Sequence, residues 1–215
     1  MNARVDVWND YSRLFSGITS RYQQAMYEAA SERLHGSVID CGCGTAKLVP
    51  YLAAGGRVSA YLGIDSSAEM VARGAELARR LPGFEASVRR QRIEEAVGRF
   101  DAAVSLQSYY AWSDGAGILR RIRGLLGAES TFVLASANER LDIERLLSVA
   151  SRELLMHPYW DEFARMNRLL AGEDGGGNFV PLDVMVREAR EARFRVLEAH
   201  AELFDGGLNF LVLTT

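Results

Sequence analysis

The sequence contains few of the residues that build disulfide-linked, metal-binding or membrane-spanning proteins. Only two of its 215 residues are cysteines, Cys41 and Cys43, which are too few for a four-thiolate zinc site and too close for an unstrained disulfide along an extended segment. No apolar run approaches the ~18 residues that cross a bilayer. Residues 1–11 carry Asp6 and Asp10 where a secretory signal would be basic and then apolar. We therefore expect a protein of the reducing cytoplasm with no membrane partner.

The chain also lacks an excess of positive charge. It has 25 Lys and Arg against 28 Asp and Glu, a net charge of −3, whereas proteins held by nucleic-acid phosphates are generally basic. A nucleic-acid partner is therefore disfavoured. With 48% hydrophobic residues, the chain has enough apolar surface to form a single globular domain over residues 1–215 without disulfides.

Short apolar runs alternate with segments of helical spacing along most of the chain. Strands are predicted at Ser37–Cys41, Ala60–Ile64, Phe84–Arg90, Phe100–Leu106 and Thr131–Ser136, and helices at Ala46–Ala54, Ser67–Leu81 and Gly115–Leu126. This alternation predicts a doubly wound parallel sheet with right-handed crossovers.

A further helix and two further strands are predicted near the end of the chain. The helix covers Leu182–Glu191, and the strands cover Phe194–Leu203 and Leu208–Leu213. The link between the strands is so short that they must be antiparallel. The expected fold class is α/β: a mostly parallel, seven-stranded, Rossmann-like sheet with an antiparallel C-terminal hairpin and a helical lid.

Two segments fall outside the strand–helix alternation, and both are rich in aromatic residues and methionine. Residues 1–34 are expected to form an N-terminal helical lid, and residues 141–178 a helical insertion that caps a ligand pocket and hinges at Gly175–Gly177. The side chains that could roof a pocket are Trp8, Tyr11, Tyr22, Met156, His157, Tyr159, Trp160, Phe163 and Met166. The alternative is that these stripes are ordinary core residues.

A glycine turn, Gly42–Thr45, ends the first predicted strand and opens the next helix. Glycines at this position let backbone N–H groups and the helix N-terminus approach a polar ligand. Asp65 lies 23 residues after Gly42, at the end of the second strand, where a carboxylate can accept from both hydroxyls of a ribose or instead cap the following helix. Lys47 stands where the dinucleotide fingerprint requires a small residue, which makes NAD the weaker ligand.

The segment Val38–Thr45 resembles the first motif of class I S-adenosylmethionine-dependent methyltransferases, which begins with an acidic residue, here Asp40, and continues Gly-x-Gly-Thr. Further matches follow in the family's order at Leu62–Met70, Phe100–Ser105, Arg121–Ser136 and Val180–Phe194. The resemblance spans about residues 35–215. It implies S-adenosyl-L-methionine as cofactor and methyl transfer as the reaction.

The resemblance also implies a set of cofactor-binding residues: Asp40, Gly42, Cys43, Gly44, Asp65, Ser66, Met70, Arg92, Ile93, Leu106, Gln107 and Tyr11. The glycine turn would face the methionine part of the cofactor, and Asp65 would bind the ribose. At Arg92 the family usually has an aspartate that accepts from the adenine amino group. Arginine cannot accept a hydrogen bond, so a backbone carbonyl would replace it while Ile93 packs on the ring.

The segment after the fourth predicted strand limits the choice of methyl acceptor. It contains no Asn/Asp-Pro-Pro-aromatic motif and no cysteine nucleophile, which disfavours methylation of nucleic-acid bases. Gln107 and Asn138 stand where metal-dependent relatives need carboxylates, so we expect no metal. The expected acceptor is a small molecule methylated on oxygen or nitrogen by in-line displacement, with His157 and Tyr110 as candidate catalytic residues.

Other functions remain open at this point. A transferase that moves an aminopropyl group would need an acidic acceptor site, which Gln107 and Ser108 do not supply. A non-catalytic S-adenosylmethionine-binding partner or regulatory subunit would share the fold, because fold alone does not decide function. The sequence leaves the oligomeric state open between monomer and homodimer.

Overall fold

The computed structural model describes residues 3–172 and 177–215, and within them seven strands form one sheet in the order β3-β2-β1-β4-β5-β7-β6. The strands are β1 (Gly36–Cys41), β2 (Val58–Asp65), β3 (Glu85–Arg90), β4 (Phe100–Leu106), β5 (Leu126–Ala137), β6 (Arg195–His200) and β7 (Leu208–Thr214). Strands β1 to β5 are parallel, and β7 is antiparallel to both of its neighbours. The predicted fold class is confirmed.

Eight α-helices accompany the sheet in the described ranges. They are α1 (Ala3–Gly17), α2 (Arg21–Ser31), α3 (Val49–Gly55), α4 (Ala68–Arg79), α5 (Gly115–Gly124), α6 (Ile143–Leu154), α7 (Trp160–Ala171) and α8 (Leu182–Glu191). Helix α3 begins three residues later than predicted, because Ala46 adopts a left-handed φ of 56° that no α-helix accommodates. Helix α5 ends at Gly124 because Leu126 already pairs with Phe100 in the sheet.

Both faces of the sheet are covered, which explains the uninterrupted apolar runs of the central strands. In β5, Phe132 and Leu134 pack into the cluster that includes residues of α5 and α8. Their neighbours Val133 and Ala135 pack into the opposite cluster, which includes residues of α2 and α3. The alternation places the main core on the two sides of one sheet.

A third apolar cluster lies outside the sheet and joins the two extra segments. Tyr11, Leu14 and Ile18 from the first segment meet Trp160, Phe163, Met166 and their neighbours from the second, together with Met70 of α4. An ion pair, Arg13 to Glu162 at 2.9 Å, links the same two helices at the surface. The predicted hinge residues Gly175 and Gly176 lie outside the described residues. None of the described helices is both long and apolar enough to span a membrane.

Candidate ligand-binding site

A cavity of about 940 Å³ lies at the carboxyl edge of the sheet, with residues from the ends of β1, β2 and β4 in its wall. Strands β1 and β4 are adjacent in the sheet. From β1 the chain continues to β2 and β3 on one side, and from β4 it continues to β5 on the other side. Ligands of open α/β sheets bind at such a topological switch point. The two extra helical segments close the cavity from the outside, since Trp8, Tyr11 and Phe163 also line it.

The glycine turn is tied to the neighbouring strand. Gly42 and Cys43 both donate their backbone N–H to the carbonyl of Ile64, at 2.9 and 3.0 Å, and Gly44 donates to Asp65 Oδ2 at 2.9 Å. The N–H groups that the sequence suggested for ligand binding are therefore engaged within the protein. The turn shapes the cavity wall, and Gly42 and Gly44 achieve this with φ angles of +81° and +54°.

Asp65 lines the cavity with a carboxylate that is fixed from two sides. It accepts from the backbone N–H groups of Gly44 and Ser67, each at 2.9 Å. The side chain that caps α4 is Ser67, which accepts from the N–H of Met70, so Asp65 is not the cap. Burial raises the pKa of Asp65, and the bonds from the backbone N–H groups oppose that rise.

Two buried ionisable side chains of opposite charge also line the cavity. Asp40 accepts from the hydroxyl of Tyr61 at 2.8 Å, and burial raises its pKa to about 7 although that hydrogen bond lowers it. Lys47 donates from Nζ to the carbonyl of Ile18 and lies 3.9 Å from the centre of the Phe15 ring. Burial lowers the pKa of Lys47 to about 7.

The pKa of Asp40 gives a testable pH dependence. The folded chain binds this proton more tightly than the unfolded chain, so the contribution of Asp40 to stability is complete below about pH 4 and is lost as the pH rises to about 7. The free energy of unfolding of Asp40→Asn, relative to the native chain, should therefore increase by up to about 4 kcal/mol across that interval. Urea unfolding of both proteins at pH 4, 5.5, 7 and 8.5 measures it. Parallel pH profiles would contradict the burial of an ionisable Asp40.

The wall beyond Asp65 contains the residues expected at the adenine end. Ile93 is half-buried and lines the cavity, as does the buried Met70, whose sulfur lies 3.8 Å from the position a Cβ on Gly44 would take. Arg92 reaches the rim, but its guanidinium donates to Glu94 Oε1 at 2.9 Å and is exposed. Ser66 lines the cavity as predicted.

Aromatic side chains form another part of the cavity wall. Tyr11 stacks on Phe163 with ring centres 6.1 Å apart, and its hydroxyl accepts from Asn167 Nδ2 at 2.9 Å. Tyr110 lies between Trp8 and Phe179, with ring centres at 6.3 and 5.3 Å. Burial raises the pKa of both tyrosines, so both hydroxyls keep their protons at neutral pH and can donate.

The structure does not bring every predicted residue to the cavity. His157 is not among the lining residues of the described chain. Its Nδ1 accepts from the N–H of Tyr159, and its ring lies beside Gly17, so the general-base role predicted for it does not fit the geometry. Met156 is 93% exposed. Both residues lie between α6 and α7, and neither lines the cavity.

Two further predicted residues are placed at the site with different roles. Gln107 lines the cavity, but its amide oxygen accepts from the N–H of Ala137 at 2.8 Å and so connects the ends of β4 and β5. Cys43 remains a free, buried thiol, as does Cys41. In the parts of the chain that the structure describes, no group of three or more His, Cys, Asp or Glu could hold a metal ion.

Several lining residues were not predicted from the sequence. Among them are Phe15, Lys47, Trp112, Asn167 and Phe179. Phe15 follows Tyr11 by four residues on α1, so helical spacing places it on the same face as Tyr11 and could have identified it. No comparable signal marks Lys47, whose contacts depend on where α1 ends.

Comparison with known proteins agrees with this geometry. The profile of a family described as "Methyltransferase domain" matches residues 33–173, and no curated protein matches the chain. Similar solved structures include a mycolic acid cyclopropane synthase complexed with S-adenosylhomocysteine (TM-score 0.72, 16% identity, covering 99% of this chain and 98% of that one). Others are the magnesium protoporphyrin IX methyltransferase of Synechocystis with bound S-adenosylhomocysteine (0.64, 15%, 90% and 83%) and an S-adenosylmethionine-dependent methyltransferase from Mesorhizobium loti (0.63, 15%, 90% and 98%). At these identities the structures establish a shared fold.

Proposed function

This chain belongs to the methyltransferase domain family and is an S-adenosyl-L-methionine-dependent methyltransferase; we propose that it methylates a small, largely apolar or aromatic molecule on oxygen or nitrogen. The observation that carries the proposal is the aromatic part of the cavity wall, to which α1, α7 and the segments after β4 and before α8 all contribute rings. Pockets for small molecules are concave and mostly apolar, with a few placed polar groups. The aromatic part of this cavity has that composition.

The residues at the glycine turn fit the cofactor. Asp65 presents a carboxylate that can accept from ribose hydroxyls, and the turn would face the methionine part, with Asp40 nearby. Ser66, Met70 and Ile93 would surround the adenosine. When bound, S-adenosylmethionine supplies an electrophilic methyl group on a sulfonium ion. The protein's part is to hold this group and the acceptor in line and to keep water out.

Tyr110 is the residue best placed to contact the acceptor. Its hydroxyl has no hydrogen-bond partner among the residues that the structure describes, and it lines the cavity between two aromatic rings. Because burial raises the pKa of Tyr110, the hydroxyl acts as a hydrogen-bond donor that orients the acceptor and not as a base. Transfer from a sulfonium does not require a protein base if the reactants are well positioned.

The proposed function is tested by the size of the methylated product. The purified chain is incubated with tritium-labelled S-adenosylmethionine and a cell extract, and the labelled products are separated by mass. Label in small molecules is expected. Label in protein or nucleic acid would overturn the proposed acceptor class, and absence of label despite calorimetric binding of S-adenosylhomocysteine would favour the non-catalytic alternative.

The helices that close the cavity give a prediction about dynamics. We expect cofactor binding to slow backbone hydrogen exchange in residues 5–22, and acceptor binding to slow it further in residues 157–166. If these segments must open to release the cofactor, exchange should slow by up to about 100-fold at a cofactor concentration 100 times its Kd. Helix α8 contributes no described lining residue and serves as the internal reference. Exchange that is already slow without ligand, and unchanged by it, would mean that both segments are permanent core.

A further inference from the structure

Lys47 is the only lysine among the 215 residues; the other 24 basic residues are arginines. It is also buried, at 8% exposure, in the wall of the cavity. Its ammonium group is held by the carbonyl of Ile18 and by the face of the Phe15 ring. These contacts use one of its three N–H donors for a hydrogen bond, and the other two have no acceptor among the residues that the structure describes.

The charge of Lys47 has no partner in the described parts of the chain. None of the ion pairs there includes it. Four carboxylates line the same cavity, and each is otherwise engaged: Asp40 accepts from Tyr61, Asp65 from two backbone N–H groups, and Glu94 and Glu95 from Arg92. Burying a cation without an anion costs free energy. In a ligand cavity, a ligand that brings an anion reduces that cost.

The surroundings indicate which anion fits. Phosphate is usually bound by several donors together, often the N–H groups of a glycine turn. Here the N–H groups of Gly42, Cys43 and Gly44 are already bonded to Ile64 and Asp65. The arginines on the rim, Arg90 and Arg92, are exposed and donate to Ser66 and Glu94. A single buried ammonium among apolar groups matches a single negative charge.

We propose that Lys47 binds a carboxylate of the ligand in this cavity. The inference rests on the proposed function, because that function brings two carboxylate sources to the site: the amino-acid end of the cofactor, and an acidic group on the acceptor. Lys47 lies two residues after the glycine turn and donates to Ile18, the residue after α1. A carboxylate bound there would therefore lie between the cofactor turn and the covering helix. Either source makes Lys47 a ligand-binding residue.

The single lysine makes a direct test possible. Full-length, tag-free protein is labelled with lysine carrying ¹³C at Cε, so that one side-chain signal reports Lys47 and its titration gives the pKa. Three states are compared: the chain alone, the chain saturated with S-adenosylhomocysteine, and the chain saturated with 5′-methylthioadenosine, which has the same thioether and adenosine but no amino-acid end. A carboxylate on the ammonium should raise the pKa by at least about 1. We expect this rise with S-adenosylhomocysteine and not with methylthioadenosine.

A fourth state distinguishes the second carboxylate source. Benzoate, with benzamide as the uncharged control, is added to the chain saturated with methylthioadenosine. If the pKa of Lys47 rises with benzoate but not with benzamide or S-adenosylhomocysteine, Lys47 binds an acidic acceptor. No rise in any state overturns the proposal.

A matched variant gives an independent readout. Lys47→Met keeps the length and apolar stem of the side chain and removes its charge. If the cofactor is the source, the variant should bind S-adenosylhomocysteine at least about tenfold more weakly in calorimetry, with its affinity for methylthioadenosine unchanged. Equal losses for both ligands would indicate a structural effect and count against the proposal. Failure of the native chain to bind S-adenosylhomocysteine is a separate result, which overturns the proposed function itself.

Discussion

Asp65→Ala is expected to weaken binding of S-adenosylhomocysteine by about 10- to 100-fold, the loss that follows when hydrogen bonds to a charged group are removed. The structure gives two reasons for an effect of this size. The carboxylate lines the cavity where the ribose is expected, and its other role is to hold the N–H of Gly44 at 2.9 Å. The variant therefore loses an acceptor for the ligand and the tether of the glycine turn. Isothermal calorimetry of both proteins measures the change.

Two variants separate these contributions. Asp65→Asn keeps one carbonyl oxygen for the backbone and should bind with intermediate affinity. Asp101→Ala removes a carboxylate that also accepts from a backbone N–H, that of Ser37 at 2.8 Å, but at the opposite end of β1 and outside the cavity lining. It should lower stability and leave S-adenosylhomocysteine binding unchanged. Native affinity in Asp65→Ala would restrict Asp65 to shaping the turn.

The sheet could be predicted from the sequence because each strand carries its own signal. A run such as Phe132–Ala135, apolar at every position, is stable in a strand of a sheet whose two faces are both covered. In the structure its residues pack alternately into the two core clusters. The start of α3 carried no such signal. Ala46 has a left-handed backbone, which an alanine adopts only rarely.

The cofactor residues and the proposed acceptor residues also differ in how far the sequence predicted them. The cofactor end was predictable because Asp40 and Asp65 come at the carboxyl ends of adjacent parallel strands, which the topology brings together. The side chains in the proposed acceptor region depend on how helices α6 and α7 are oriented. Trp160 and Phe163 follow a helical stripe and are buried, whereas His157 belongs to the turn before α7 and does not line the cavity. The role of Lys47 depends on a contact with Ile18, 29 residues away, which no local pattern contains.

Gly42→Ala tests whether the shape of the glycine turn, and not its N–H groups, makes the site. An alanine Cβ at this position would lie 2.5 Å from Cβ of Ser108. Ser108 cannot easily move aside, because its hydroxyl contacts Ser105 Oγ at 2.6 Å and donates to the carbonyl of Cys41 at 3.1 Å. The added methyl group must therefore displace both the turn and the segment that carries Tyr110. We expect S-adenosylhomocysteine affinity to fall by more than about 100-fold, or about 2.7 kcal/mol.

The control for Gly42→Ala is a glycine with the same backbone and empty surroundings. Gly83 has a φ of +86°, against +81° for Gly42, and nothing lies within 4 Å of the position its Cβ would take. Gly83→Ala therefore carries only the cost of a left-handed alanine, about 1–2 kcal/mol, and should bind S-adenosylhomocysteine as the native chain does. Calorimetry gives the affinities, and thermal unfolding shows whether each variant is folded at the temperature used. If folded Gly42→Ala matches Gly83→Ala in affinity, the turn tolerates the displacement and its shape does not determine cofactor binding.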